Sequence, residues 1–226
     1  MREVRFYFAI FFVNVSVSCL AYKFVPSARS HLIEEDYLIE NISALMFAGA
    51  FLFSSGLLWR AKRQGDIAPL LLIAVVGLVS ALDELDWGRR IFGFRLFRAV
   101  GINIGSLHDL FQRGYFVILQ LGGKPLSLIA VLASSTALIL LSLALLPKRI
   151  RCMIAVGLNY PPYVLIATSG VLILSALVID LDLVEWAPLF LFEELFEMNA
   201  ALALLVALLA LFRVPESRAC PCYSPR

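Results

Sequence analysis

The chain carries 17 Asp and Glu, and two short runs concentrate them. Asp83-Glu84-Leu85-Asp86-Trp87-Gly88-Arg89-Arg90 sets acids beside an indole and two guanidinium groups. Phe192-Glu193-Glu194-Leu195-Phe196-Glu197 gathers further acids within less than two helical turns. His108, beside Asp109, is one of 2 histidines. One imidazole with several carboxylates suits a hard or borderline divalent cation such as Mn, Fe, Mg or Ca, rather than a thiolate zinc site. The same groups could hold a shared proton. The candidate metal ligands are Glu84, His108, Glu193, Glu194 and Glu197. The candidate catalytic residues are Glu84, Glu197, His108 and Arg90, with Arg90 as counter-charge or as the grip on an anionic head group.

Each feature also has a plainer reading. The 83–90 run could be an ordinary helix end, with Trp87 in an aromatic belt and its charges reaching water. Glu193 and Glu194 near a helix start suit the macrodipole, whereas Glu197 lies about ten residues in, beyond that effect. A lone interfacial His108 could be structural, and His31 falls in a polar loop with no role attached. H-E-x-x-H, G-x-S-x-G and phosphate-loop motifs are absent, as are the Glu-x-x-His pairs of di-iron bundles. Cys220-Pro221-Cys222 could be acylated, bind metal or form an unmodified tail.

The elements that must position these residues are membrane helices. Apolar residues make up 61% of the 226 and charged residues 16%, against about 45–50% and 25% in soluble domains. That composition excludes a water-soluble enzyme, a disordered chain and a disulfide-stapled module. A net charge of +2 with no basic stripe excludes a nucleic-acid binder. The expected fold is all-α: a polytopic transmembrane bundle of about six spans, one integral membrane domain over 1–226. The spans read as 6–24, 38–59, 67–82 (continuing to 94), 126–146, 163–179 and 186–212, before a cytoplasmic tail at 213–226. The first reads as a retained helix, since no clean small-x-small cleavage site follows it. Residues 107–121 are too short to span and read as an interfacial or re-entrant helix.

Basic residues orient the bundle. With six spans and a cytoplasmic N-terminus, 11 Lys and Arg fall inside and 8 outside, in accord with the positive-inside rule. Treating 107–121 as a seventh span reverses that bias. The expected location is the cytoplasmic (inner) membrane with both termini cytoplasmic. The acids sort the opposite way: only Glu3, Asp66 and Glu216 fall on the cytoplasmic side.

Depth and facing then single out a subset. At 1.5 Å per residue, Glu40, Glu84, Asp180, Glu193 and Glu197 all stand roughly 24–30 Å above the inner interface, on four helices. The hydrocarbon layer is about 30 Å thick, so they lie just inside its outer edge. Glu84 continues a small-residue stripe of Ala74, Gly77 and Ala81, and Glu197 one of Ala200, Ala203, Ala207 and Ala210. On the second span, Glu40, Ala44, Ala48 and Ser55 lie near one face. Small residues mark helix–helix contact in membranes. Carboxylates at such depth are costly unless paired, protonated or bound to a cation. Asn41, Asn103 and Asn199 could supply amides to them.

The run from Glu84 through Trp87-Gly88-Arg89-Arg90-Ile91 to Gly93-Phe94, followed by Asn103 and Leu107-His108-Asp109-Leu110, carries a resemblance. It is similar to a family of uncharacterised bacterial multi-pass proteins with E-E-x-x-W-G-Q-R-(aliphatic)-x-G-F and then N-L-H-N-L. A Glu-Glu pair opening a late span, here Glu193-Glu194, is also similar. This chain has Asp83, Arg89 and Asp109 where that pattern has Glu, Gln and Asn. The resemblance covers about a quarter of the chain and implies a shared site, with no activity attached.

The expected function is therefore a carboxylate/His site near the extracytoplasmic leaflet. Its enzyme form is a metal-dependent intramembrane hydrolase or transferase on a lipid-like substrate, the cofactor being a divalent metal. The alternatives are a proton- or cation-coupled transporter or sensor, and a structural subunit of a membrane complex.

Overall fold

The computed structural model describes residues 1–33, 38–60, 67–85, 160–180 and 188–213. All regular structure among them is helical: α1 (Arg2–Phe24), α2 (Pro26–Ile33), α3 (Leu38–Arg60), α4 (Ile67–Glu84), α5 (Pro161–Asp180) and α6 (Pro188–Arg213). All except α2 are long and apolar enough to cross a membrane, which makes this a multi-pass membrane protein. In lipid a backbone must satisfy its own N–H and C=O groups, so apolar stretches of this length become helices. Proline opens α2, α5 and α6, where its missing N–H costs nothing. The expected span 126–146 and interfacial helix 107–121 lie outside the described residues. α4 closes at Glu84 with Leu85 in a turn, and 86–94 also lie outside them.

Residues 26–33, which include the His31 expected in a polar loop, form α2. Arg29 ties it to α1: its Nε donates to the Tyr22 carbonyl at 2.8 Å and its terminal amine to Lys23 at 3.4 Å. Both carbonyls belong to the last turn of α1, where no helical partner remains for them. α2 thus caps its neighbour, a contact that hydropathy does not record.

α6 is the hub. It packs along α5 and α3 and also meets α1, α2 and α4, while α3 and α4 form a close antiparallel pair. Ala200, Ala203, Ala207 and Ala210 of α6 are all buried, as are Ala74, Gly77 and Ala81 of α4. The closest approach is at Gly77. A Cβ there would stand 2.9 Å from the Phe47 carbonyl oxygen and 3.0 Å from the Phe51 nitrogen.

The buried face of α3 corrects the sequence reading. It runs through Ile39, Ser43, Ala44, Phe47, Ala50 and Ser54, while Ala48 and Ser55 are only half-buried. Ala44 belongs to both sets, and the contact reaches beyond the small residues because the backbone of the buried Phe47 lies directly against Gly77 of α4. α1 is the most peripheral span, with Tyr7 its one buried residue.

Candidate functional site

The site begins at the last residue of α4. Glu84 is 8% exposed, held between α3 and α4. Its place follows from the stripe below it: Gly77 and Ala81 let the backbones approach, and one turn further on the next residue on that face is a carboxylate. Ser43, fully buried five residues into α3, donates a 2.8 Å hydrogen bond to Glu84 Oε1. The same hydroxyl lies 2.8 Å from the Glu40 carbonyl oxygen one turn back. The Ser43 side chain is thereby fixed from both sides, and so is the carboxylate rotamer it contacts.

α6 supplies the opposing acids. Glu193, Glu194 and Glu197 are each half-buried in its first three turns. Helical side chains lean toward their own N-terminus, so Glu197 reaches back toward the end of the bundle where α4 finishes. Glu84 and Glu197 interact electrostatically, and both feel Glu194 and Asp83. Glu40 adds to the field at Glu84, and Glu193 to that at Glu197. Carboxylates from α3, α4 and α6 therefore lie near one another at one end of the bundle. The likeness of their charges is costly in an apolar surround until a proton or cation takes up part of it. Glu40, Asp83, Glu193, Glu194 and Glu197 each have further polar or electrostatic partners.

A smaller hydrophobic cluster frames this end. Ile39 of α3 and Leu191 and Leu195 of α6 are buried together, with Val15, Cys19 and Tyr22 of α1, Leu32 of α2 and Met198 against them. Leu191 and Leu195 alternate with the acids around α6, so the helix shows apolar side chains to α1 and α2 and carboxylates toward α4.

Among the described residues, no three His, Cys, Asp or Glu side chains are grouped so as to hold a metal ion. His108 and Arg90, the expected imidazole and counter-charge, lie outside the described residues, as does Asn103. Asn199 is buried but not given to the acids. Its Nδ2 donates to the Leu195 carbonyl at 2.7 Å, and its Oδ1 accepts from Asn14 Nδ2 at 3.4 Å. Tyr7 completes this α1–α6 latch by donating to the Asn199 carbonyl at 3.2 Å. Two residues of α-helix turn the chain by about 200°, so Asn199 and Glu197 address opposite sides of α6.

Ser43, Tyr7 and Asn14 were not singled out from sequence. A lone hydroxyl or amide in an apolar run has no signature until its partner is known; the one available signal is a polar residue interrupting a lipid-length span. Comparisons of the chain with protein-family models, characterised proteins and solved structures find no match.

Proposed function

We propose that this protein works through an acidic intramembrane site near the extracytoplasmic leaflet, in which Glu84 and Glu197 hold a cation in common. The observation that carries this reading is the buried Glu84 carboxylate, hydrogen-bonded by Ser43 and close to the acids of α6. Such groups are rarely placed at this depth without a cation or proton to receive. In its enzyme form the cation would be a divalent metal held first by Glu84 and Glu197; Glu193, Glu194 and His108 are the further ligands expected from sequence, and the described acids would have to draw closer together to take it. Such a metal would supply an activated water; one of the site carboxylates would take its proton, and Arg90 would hold the anionic head group of a lipid-like substrate. The protein sits in the cytoplasmic (inner) membrane with both termini cytoplasmic, the basic helix ends facing inward.

A second reading, a proton- or cation-coupled transporter or sensor, draws support from Tyr7, Asn14 and Asn199, which place polar groups deep in the α1–α6 seam. Against it, Asn199 and Glu197 lie on opposite sides of α6, so that seam does not lead into the acids.

Elemental analysis of the purified protein decides. Stoichiometric metal that is lost in Glu84→Gln and in Glu197→Gln supports the site and its metal form. Metal-free protein that carries protons or cations across liposomes supports the second reading. Metal-free, flux-free protein that loses its fold when either acid is neutralised overturns both and leaves a structural subunit.

A further inference from the structure

α4 and α6 carry acids that interact, yet these two helices touch each other much less than either touches α3. The gap between Glu84 and the α6 acids is therefore governed by where each helix sits on α3. Glu84 is tied to α3 directly, by the 2.8 Å hydrogen bond from Ser43. The matching contact for α6 lies one turn back along α3. Ile39, 5% exposed, is buried with Leu191 and Leu195 of α6. Ile39 and Ser43 are four residues apart, so they share one face of α3 with a rise of about 6 Å between them. A single turn of α3 thus seats both acid-bearing helices.

The Ile39 contact has the character of a spacer. Leu191 and Leu195 belong to the same turns of α6 as Glu193, Glu194 and Glu197. α1 and α2 also reach this cluster, but with half-buried side chains; among the described residues, Ile39 is its one buried member from outside α6. A β-branched side chain on a helix has essentially one χ1 rotamer, so Ile39 cannot fold aside when α6 presses on it. Packed helices stand about 8–10 Å apart according to the side chains at their contact. The bulk at position 39 therefore sets how near α6 comes to α3, and with it how near the α6 acids come to Glu84. With Ile39 in place, no three acids among the described residues are grouped so as to hold a metal ion.

We propose that Ile39 is a positioning residue of the acidic site, a rigid spacer on α3 that sets the gap between Glu84 and the acids of α6. This deepens, and rests on, the reading of those acids as a cation site. A shorter side chain at position 39 lets α6 settle toward α3 and draws its acids toward Glu84, the direction that grips a cation more tightly.

Spin labels on Leu78→Cys of α4 and Phe190→Cys of α6, both exposed, measure the gap in the full chain, with the native cysteines replaced throughout. Ile39→Val should shorten the label distance and Ile39→Ala shorten it further, by about 1–2 Å in all. Ile39→Leu, which keeps the volume, should hold the wild-type distance. Ile42→Ala, on the exposed side of the same helix, should leave it unchanged. Mn²⁺ alone, titrated into unlabelled protein, should bind Ile39→Val more tightly than the wild type. A distance unchanged in both Ile39→Val and Ile39→Ala, or one that moves as far in Ile42→Ala, overturns the inference. So does a shortened distance with Mn²⁺ bound equally by wild type and variants. A shortened distance with Mn²⁺ bound by none of them overturns the cation reading instead, and leaves Ile39 as the spacer of the acids.

Discussion

Gly77 of α4 faces the backbone of Phe47 on α3 so closely that a methyl group added there would stand 2.9 Å from the Phe47 carbonyl oxygen. This contact sets how near α3 and α4 come, and so whether Ser43 can reach Glu84. Gly77→Ala should destabilise the protein by about 1–3 kcal/mol, because the atoms it meets are backbone and cannot rotate aside. Gly56→Ala, whose Cβ would meet nothing within 4 Å, should be neutral or stabilise by about 0.5 kcal/mol. Reversible unfolding in mixed micelles measures both. Equal effects would show that the α3–α4 approach is not tight.

Ser43→Ala should cost about 1–3 kcal/mol, because it strips a hydrogen bond from a buried carboxylate. The same substitution in a Glu84→Leu background should cost much less, since the partner is already gone. A double-mutant cycle reads the difference. A cost that is identical in both backgrounds would mean that the Ser43–Glu84 bond contributes nothing.

The α1–α6 latch should be weaker, and unevenly so. Tyr7→Phe removes one donor from a carbonyl and should cost about 0.6 kcal/mol, the average for interhelical hydrogen bonds in membranes. Asn199→Ala also strands the Asn14 amide and should cost about 1–3 kcal/mol. Unfolding free energies in the same micelles rank the two, and the reverse order would contradict the bonding pattern described for Asn199.

Orientation is open to chemical labelling in a variant whose native cysteines are serine. Ser27→Cys on α2 and Arg60→Cys at the end of α3 are exposed and lie at opposite ends of the bundle. A membrane-impermeant maleimide added to intact cells should modify the first and reach the second only after permeabilisation. The opposite pattern would invert the bundle and place the acids on the cytoplasmic side.

Several features were legible in the residues themselves. Runs of apolar residues about one bilayer thick have a single way to satisfy their backbones, so the positions of α1, α3, α4, α5 and α6 follow from hydropathy with Pro161 and Pro188 as punctuation. That Glu84 and Glu197 fall at one end of the bundle follows too, because helical rise converts sequence distance into position along a span. The small-residue stripe below Glu84 indicated its inward face, since glycine and alanine in lipid have little use except close contact.

Other features depended on what lies across each interface. The inward edge of α3 could not be found from its own small residues alone, because what brings α4 against it is Gly77, whose missing side chain lets the Phe47 backbone approach. Ser43 and Asn199 are ordinary polar interruptions until Glu84, Asn14 and Tyr7 are placed beside them. The tie between α2 and α1 likewise appears only when Arg29 is set beside the last carbonyls of α1. Sequence determined which segments are long and apolar enough to cross a membrane and toward which end of them the acids fall, since hydrophobicity and helical rise act within one segment. Only tertiary structure decided which side chains meet, since a hydrogen bond or a close backbone approach belongs to two segments at once.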